Sequence, residues 1–194
     1  MGDFPDLMEV LVNIGGSVEP VVDMIRTIAA LMGLYLVGSG LIEVWGVTHD
    51  NALKYVAGRQ RFSVGSALIS IFVGAMLLAT ADLAVIRALG HTLSGNTYSA
   101  GQIISASMKY SGPGMSEKAQ AASMVILGIM QIVGMIAMIK GWMTINRYYN
   151  NQQAGLGQAA GWLIGGVLCW NFKWFVDVLN ATIGFKVFTL FTPF

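Results

Sequence analysis

Phe62–Ala81 reads FSVGSALISIFVGAMLLATA, and not one of its residues is charged between the flanking Arg61 and Asp82. Twenty mostly apolar residues, each rising about 1.5 Å along a helix, cross a hydrocarbon core of roughly 30 Å. Working outward, the same kind of gap recurs. Sixteen uncharged residues, TIAALMGLYLVGSGLI, lie between Arg26 and Glu43, and twenty-one, AQAASMVILGIMQIVGMIAMI, lie between Lys118 and Lys140. A last apolar stretch begins near Gly157, runs through GQAAGWLIGGVLCWNF, and meets Lys173 and Asp177. These two charges are four residues apart on one helical face, at the spacing of an intramembrane ion pair.

Composition agrees with the gaps. Hydrophobic residues make up 55% of the chain and charged residues 11%, against about 25% charged in soluble domains. The pattern predicts an all-α, polytopic membrane protein with four transmembrane helices arranged as two hairpins. It divides the chain into an amino-terminal segment 1–19, a first hairpin 20–82, a loop 83–117, and a second hairpin with its tail at 118–194.

The amino-terminal segment contains Asp3, Asp6, Glu9 and Glu19 and no Lys or Arg, so it lacks the basic region of a cleavable signal and is expected to be retained. Leu7, Met8, Val10, Leu11 and Ile14 form a near-helical apolar stripe. The segment is therefore either a short interfacial helix ended by Gly15-Gly16 or an unstructured tail.

Orientation follows from where Lys and Arg gather. The first link holds Lys54, Arg59 and Arg61, and the last holds Lys140 and Arg147, whereas the longer middle loop spreads out Arg87, Lys109 and Lys118. The short links are thus expected in the cytoplasm, with both termini and the middle loop on the far side; the reverse orientation has a smaller basic bias behind it.

The halves also echo one another. Trp45 and Trp142 are 97 positions apart, as are Gly58 and Gly155, which suggests an internal duplication.

Packing should rely on small residues, because lipid is as apolar as Leu and close backbone approach must supply the contact. Gly161 and Gly165 form a GxxxG, while Ala29/Gly33 and Ser70/Gly74 keep the same spacing. Gly38, Gly40 and Gly134 complete the set, and each of these seams joins helices either within one chain or between chains. With 24 Gly and 12 Met, the helices suit close contact on adaptable surfaces, the pattern of a homo- or hetero-oligomeric component.

Chemistry finds few footholds. His49 and His91 have no second ligand at metal-binding spacing, and the single cysteine, Cys169, sits among apolar residues. No hydrolase elbow, zinc-protease helix, phosphate loop or dinucleotide fingerprint is present, so no enzyme, cofactor or metal is expected. No basic cluster with interleaved aromatics predicts direct nucleic-acid binding.

The whole chain, with its four spans and the twin motifs Gly38-Ser-Gly40-Leu-Ile-Glu-Val-Trp45 and Gly134-Met-Ile-Ala-Met-Ile-Lys-Gly-Trp142, resembles the IcmC/DotE family of type IVB secretion systems and its plasmid relative TraQ. Smaller members such as IcmD/DotP look similar to a single hairpin. The resemblance implies a bacterial inner-membrane subunit of the Dot/Icm or conjugative machine, which moves effector proteins or DNA across the envelope, with other inner-membrane subunits as partners. It implies no catalytic residue. A small transporter and a holin-like membrane protein are the competing classes.

Reporter fusions at Arg59 and at Arg147 are expected to mark the same face of the bilayer. The chain should stay with the membrane in alkaline carbonate and leave it in detergent.

Overall fold

A computed structural model describes residues 7–49, 63–94, 115–150 and 154–184. Among the described residues every regular element is an α-helix: α1 (Leu7–Thr48), α2 (Val64–Ala81), α3 (Ala84–Ser94), α4 (Met115–Tyr149), α5 (Leu156–Trp170) and α6 (Phe172–Ile183). Three stretches are long and apolar enough to cross a membrane: Ser17–Thr48, Val64–Ala81 and Val125–Tyr149. A fourth exists if α5 and α6, bent by 85° at their junction, count as one broken span.

Two sequence expectations change here. The amino-terminal segment does not end at Gly15-Gly16, because α1 is one helix of 42 residues that runs on through Pro20. Gly15 is a contact residue: a Cβ built on it would lie 2.7 Å from Val125 Cγ2. The neighbouring α4 thus favours the helix where local propensity favours a break. Pro20 gives up the N–H bond that would have closed on the Gly16 carbonyl. Nor is 83–117 a plain loop, since 84–94 forms α3 and 95–114 falls outside the described residues.

Two local devices end α2. Leu83 adopts a left-handed φ of 63°, a conformation that a bulky residue holds only under tertiary constraint. Arg26 of α1 donates from Nε to the Ala81 carbonyl at 2.8 Å, placing a cation on the last-turn oxygens where the helix dipole is negative.

The described residues fall into two compact units. One draws on Ile25–Val85 and Ala137–Gly165, the other on Met1–Met24, Ile86–Ile136 and Gly166–Phe194. Neither follows the hairpin-by-hairpin division of the sequence, because α1 and α4 each contribute to both.

The core of the first unit is Leu36, Val73 and Leu77, with Met32, Ile69, Ile139, Trp142, Met143 and Ile145 packed around them. Glycine sets how closely its helices approach. A Cβ on Gly33 would meet the Gly74 carbonyl oxygen at 2.8 Å, one on Gly74 would meet the Gly33 carbonyl oxygen at 2.7 Å, and one on Gly40 would meet the Ala67 oxygen at 2.9 Å. Contacts descend α2 as they ascend α1, so the two helices run antiparallel. Ala29 is fully buried on the same side of α1.

In the second unit the equivalent approach is Gly134, whose Cβ would lie 2.7 Å from the Gly166 oxygen and 2.8 Å from the Trp170 nitrogen. Large apolar side chains, among them Leu31, Leu34, Tyr35, Leu68 and Ile164, point outward, as suits helices with lipid for a solvent.

Gly74→Val is expected to destabilise the protein by about 1–3 kcal/mol, since backbone on the facing helix must move. Gly38→Ala, with nothing within 4 Å of the added carbon, should leave the melting temperature in detergent unchanged.

Candidate functional site: a buried polar seam between α2 and α4

On α2, Ser66 and Ser70 lie one turn apart and face Asn146 and Asn150 of α4, also one turn apart. Ser70 Oγ donates to Asn146 Oδ1 at 3.1 Å, and Ser66 Oγ donates to Asn150 Oδ1. Asn150 Nδ2 then donates to Asn146 Oδ1 at 3.0 Å and to the Asn146 carbonyl at 2.8 Å. The amide of Asn146 therefore accepts from both helices at once, and Asn150 relays the chain to Ser66. Ser70 is 1% exposed. The i, i+4 spacing on each helix makes the seam continuous, because only that spacing stacks side chains on one face.

Two further polar groups belong to the same unit. Glu43 of α1 is 2% exposed. It follows Gly40, which rests on Ala67 and Ile71, by one turn on the same face, and so comes level with the start of α2. Trp142, one turn before Asn146 on α4, stacks edge-on against Phe72 with ring centroids 6.3 Å apart, and its Nε1 is buried without a hydrogen-bond partner. Chemically, amides and hydroxyls in such a seam exchange hydrogen bonds and take up no proton. Glu43 is the ionisable group at this level.

The residues singled out from the sequence separate into three groups. Gly33, Gly40, Gly74 and Gly134 sit at close helix contacts, Ala29 is buried, and Ser70 is a member of the seam. Gly38, Gly161 and Gly165 have nothing within 4 Å of an added Cβ, so their faces are open.

Among the basic residues, Lys54, Arg59 and Arg61 lie outside the described residues, and Arg147 is in the last turn of α4. Lys140 is not in a link. It lies within α4 and inside the Val125–Tyr149 stretch, where its Nζ sits 4.0 Å above the Trp162 ring. The aromatic face and the long methylene stem let an ammonium remain at that depth, which a charge-gap boundary does not foresee.

Lys173 belongs to α6, beyond the 85° bend. It shares that helix with Asp177, four residues on, so the pair keeps its helical spacing but does not continue α5 in a straight span; the side chain of Asp177 falls outside the described ones. Among the described residues no three His, Cys, Asp or Glu side chains gather as a metal site.

Sequence reasoning missed Ser66, Asn146, Asn150 and the burial of Glu43. A pair of serines at i, i+4 inside one hydrophobic run and a pair of asparagines at the same spacing bordering another were the available signal. Comparison with protein-family models, with curated proteins and with solved structures finds no match to this chain.

Ser70→Ala should lower stability by about 0.6 kcal/mol, the average for a hydrogen bond between membrane helices. Asn146→Ala, which strands two donors, is expected to cost about 1–3 kcal/mol. Unfolding of the detergent-solubilised protein in a graded denaturant measures both.

Proposed function

We propose that this protein is a structural inner-membrane subunit of a type IVB secretion or conjugation apparatus, helping to assemble the conduit that translocates effector proteins or DNA. The observation that carries this reading is the contrast among its glycines. Those at Gly33, Gly40, Gly74 and Gly134 are consumed by contacts inside the chain. Gly161 and Gly165 on α5 and Gly38 on α1 present bare backbone on open faces, next to exposed Ile164, Leu34 and Leu41.

Lipid tails gain little from a bare backbone, whereas a helix of another subunit gains close contact along it. Neighbouring inner-membrane subunits, or further copies of this chain, would dock there. The basic links face the cytoplasm and both termini the periplasm in this arrangement.

The internal repeat fits such a building block. Gly74 meets Val37; moved along by the 97-residue offset, the pair falls at 134 and 171, one residue from the contact that Gly134 makes with Trp170. Two pilin-like hairpins joined in one chain would have this register.

A specific observation favours a second reading, a small transporter: Glu43 is a buried carboxyl within the Ser17–Thr48 stretch, and ionisable groups at membrane depth mark ion and substrate paths. Glu43→Gln would then abolish flux while leaving assembly intact. A holin-like protein, by contrast, would act when expressed alone.

Cysteines at Gly38 and Gly161, in a Cys169→Ala background and at native expression, are expected to give inter-subunit crosslinks in intact membranes. A cysteine at Ser70, buried in the seam, is expected to give none. Monomer from both open-face positions would overturn the assembly reading.

A further inference from the structure

Lys140 carries a positive charge at a depth where lipid tails offer no counterion. On α4 it lies fifteen residues after Val125 and nine before Tyr149, inside the Val125–Tyr149 stretch. At about 1.5 Å per residue, the nearer end of that stretch is roughly 13 Å away. The polar seam gives an independent measure of the same depth. Ser66 pairs with Asn150 and Ser70 with Asn146, so α2 and α4 run antiparallel. Continued in that register, Lys140 comes level with Met76, well inside Val64–Ala81.

The ammonium stays at that level. Its Nζ sits 4.0 Å above the centre of the Trp162 ring on α5. The adjoining residues Gly141 and Leu163 touch, since a Cβ on Gly141 would lie 2.7 Å from Leu163 Cγ, and Trp162 is therefore level with this part of α4. A lysine stem folded onto that ring does not extend to a headgroup. The indole covers one side of the charge, and the residue is exposed on the other. Among the described residues the Lys140 side chain makes this ring contact and neither an ion pair nor a hydrogen bond. Ionisable groups within the hydrocarbon are costly and pair with one another or face a polar path.

Trp162 also stands at the edge of the open face of α5. At about 100° per residue it falls between buried Ala159 and the side that carries Gly161, Gly165 and Ile164, the last of them 62% exposed.

We propose that Lys140 anchors an intramembrane ion pair with another protein. A transmembrane helix bearing an aspartate or glutamate near its midpoint docks against the open face of α5 and sets its carboxylate on the Lys140 ammonium, opposite the Trp162 ring. This names the class of partner for that face and rests on the assembly reading. Charge complementarity selects the occupant, because each charge alone is costly in hydrocarbon and breaking such a pair leaves one of them uncompensated. A second copy of this chain does not supply the acid among the described residues. Val64–Ala81 and Val125–Tyr149 contain no Asp or Glu, and in Ser17–Thr48 Glu19 and Asp23 lie near the start while Glu43 is 2% exposed.

The test places the full chain, labelled at its amino terminus, in phosphatidylcholine vesicles with a synthetic leucine–alanine transmembrane helix that carries aspartate or asparagine at its midpoint. Energy transfer reads their association. The aspartate helix is expected to associate about tenfold better than its asparagine isostere, a modest share of what a charge costs at that depth. Lys140→Met, whose thioether still packs on the indole, should remove the preference, and Lys140→Arg should keep it. Equal association of the two helices with the unmodified chain, a comparison that needs no variant to fold, would overturn the proposal. So would a preference that survives Lys140→Met, or one that vanishes when phosphatidylglycerol is added and so makes a lipid phosphate the occupant. Crosslinking from Gly161→Cys at native expression separates the two readings. Crosslinks without an aspartate preference overturn the ion pair and leave the assembly standing, whereas the preference without crosslinks upholds the ion pair and overturns the assembly.

Discussion

Everything in this fold follows from a solvent that does not reward hydrocarbon burial. In water, Leu on Leu would hold the helices together; in lipid the exchange is nearly neutral, and stability must come from atoms brought closer than side chains normally permit. Gly33 against Gly74 and Gly134 against Gly166 are where that happens, each with backbone oxygen at the distance a Cβ would forbid. The buried aliphatic residues around Leu36, Val73 and Leu77 fill the space that these contacts define. They do not set it.

Polar groups obey the complementary constraint, that nothing outside the chain will satisfy them at depth. Ser66, Ser70, Asn146 and Asn150 close a hydrogen-bonded seam between α2 and α4. Arg26 spends its guanidinium on the end of α2. Because these bonds are directional, they specify rotation and register between helices in a way that packing of similar aliphatic side chains does not. Gln131, in the other unit, stands apart from this background, with its Oε1 buried and without a hydrogen-bond partner.

The glycine pattern is what supports the proposed assembly role. A helix that buries its glycines on one side and exposes another set elsewhere has one close-contact face used within the chain and a second face of bare backbone that is open. On α5, Gly166 meets Gly134 while Gly161 and Gly165 are open. Conventional exposed apolar residues could face lipid indefinitely, but bare backbone gains from a neighbour.

By itself the sequence determined the solvent and the element type, because charge gaps of about 20 residues have no other stable form than a membrane-length helix. It also marked the small residues on which helices could meet. Tertiary structure decided the rest. Gly15-Gly16 reads as a stop, yet Val125 packs on Gly15 and α1 continues; Lys140 reads as a boundary, yet Trp162 holds it within α4. Glu43 and Trp45, two residues apart in the sequence, point about 200° apart on a helix, so Glu43 is buried while Trp45 is 54% exposed. Hydropathy sums over a window and is blind to direction, and which face of a helix meets another is a property of the partner helix that no local window contains.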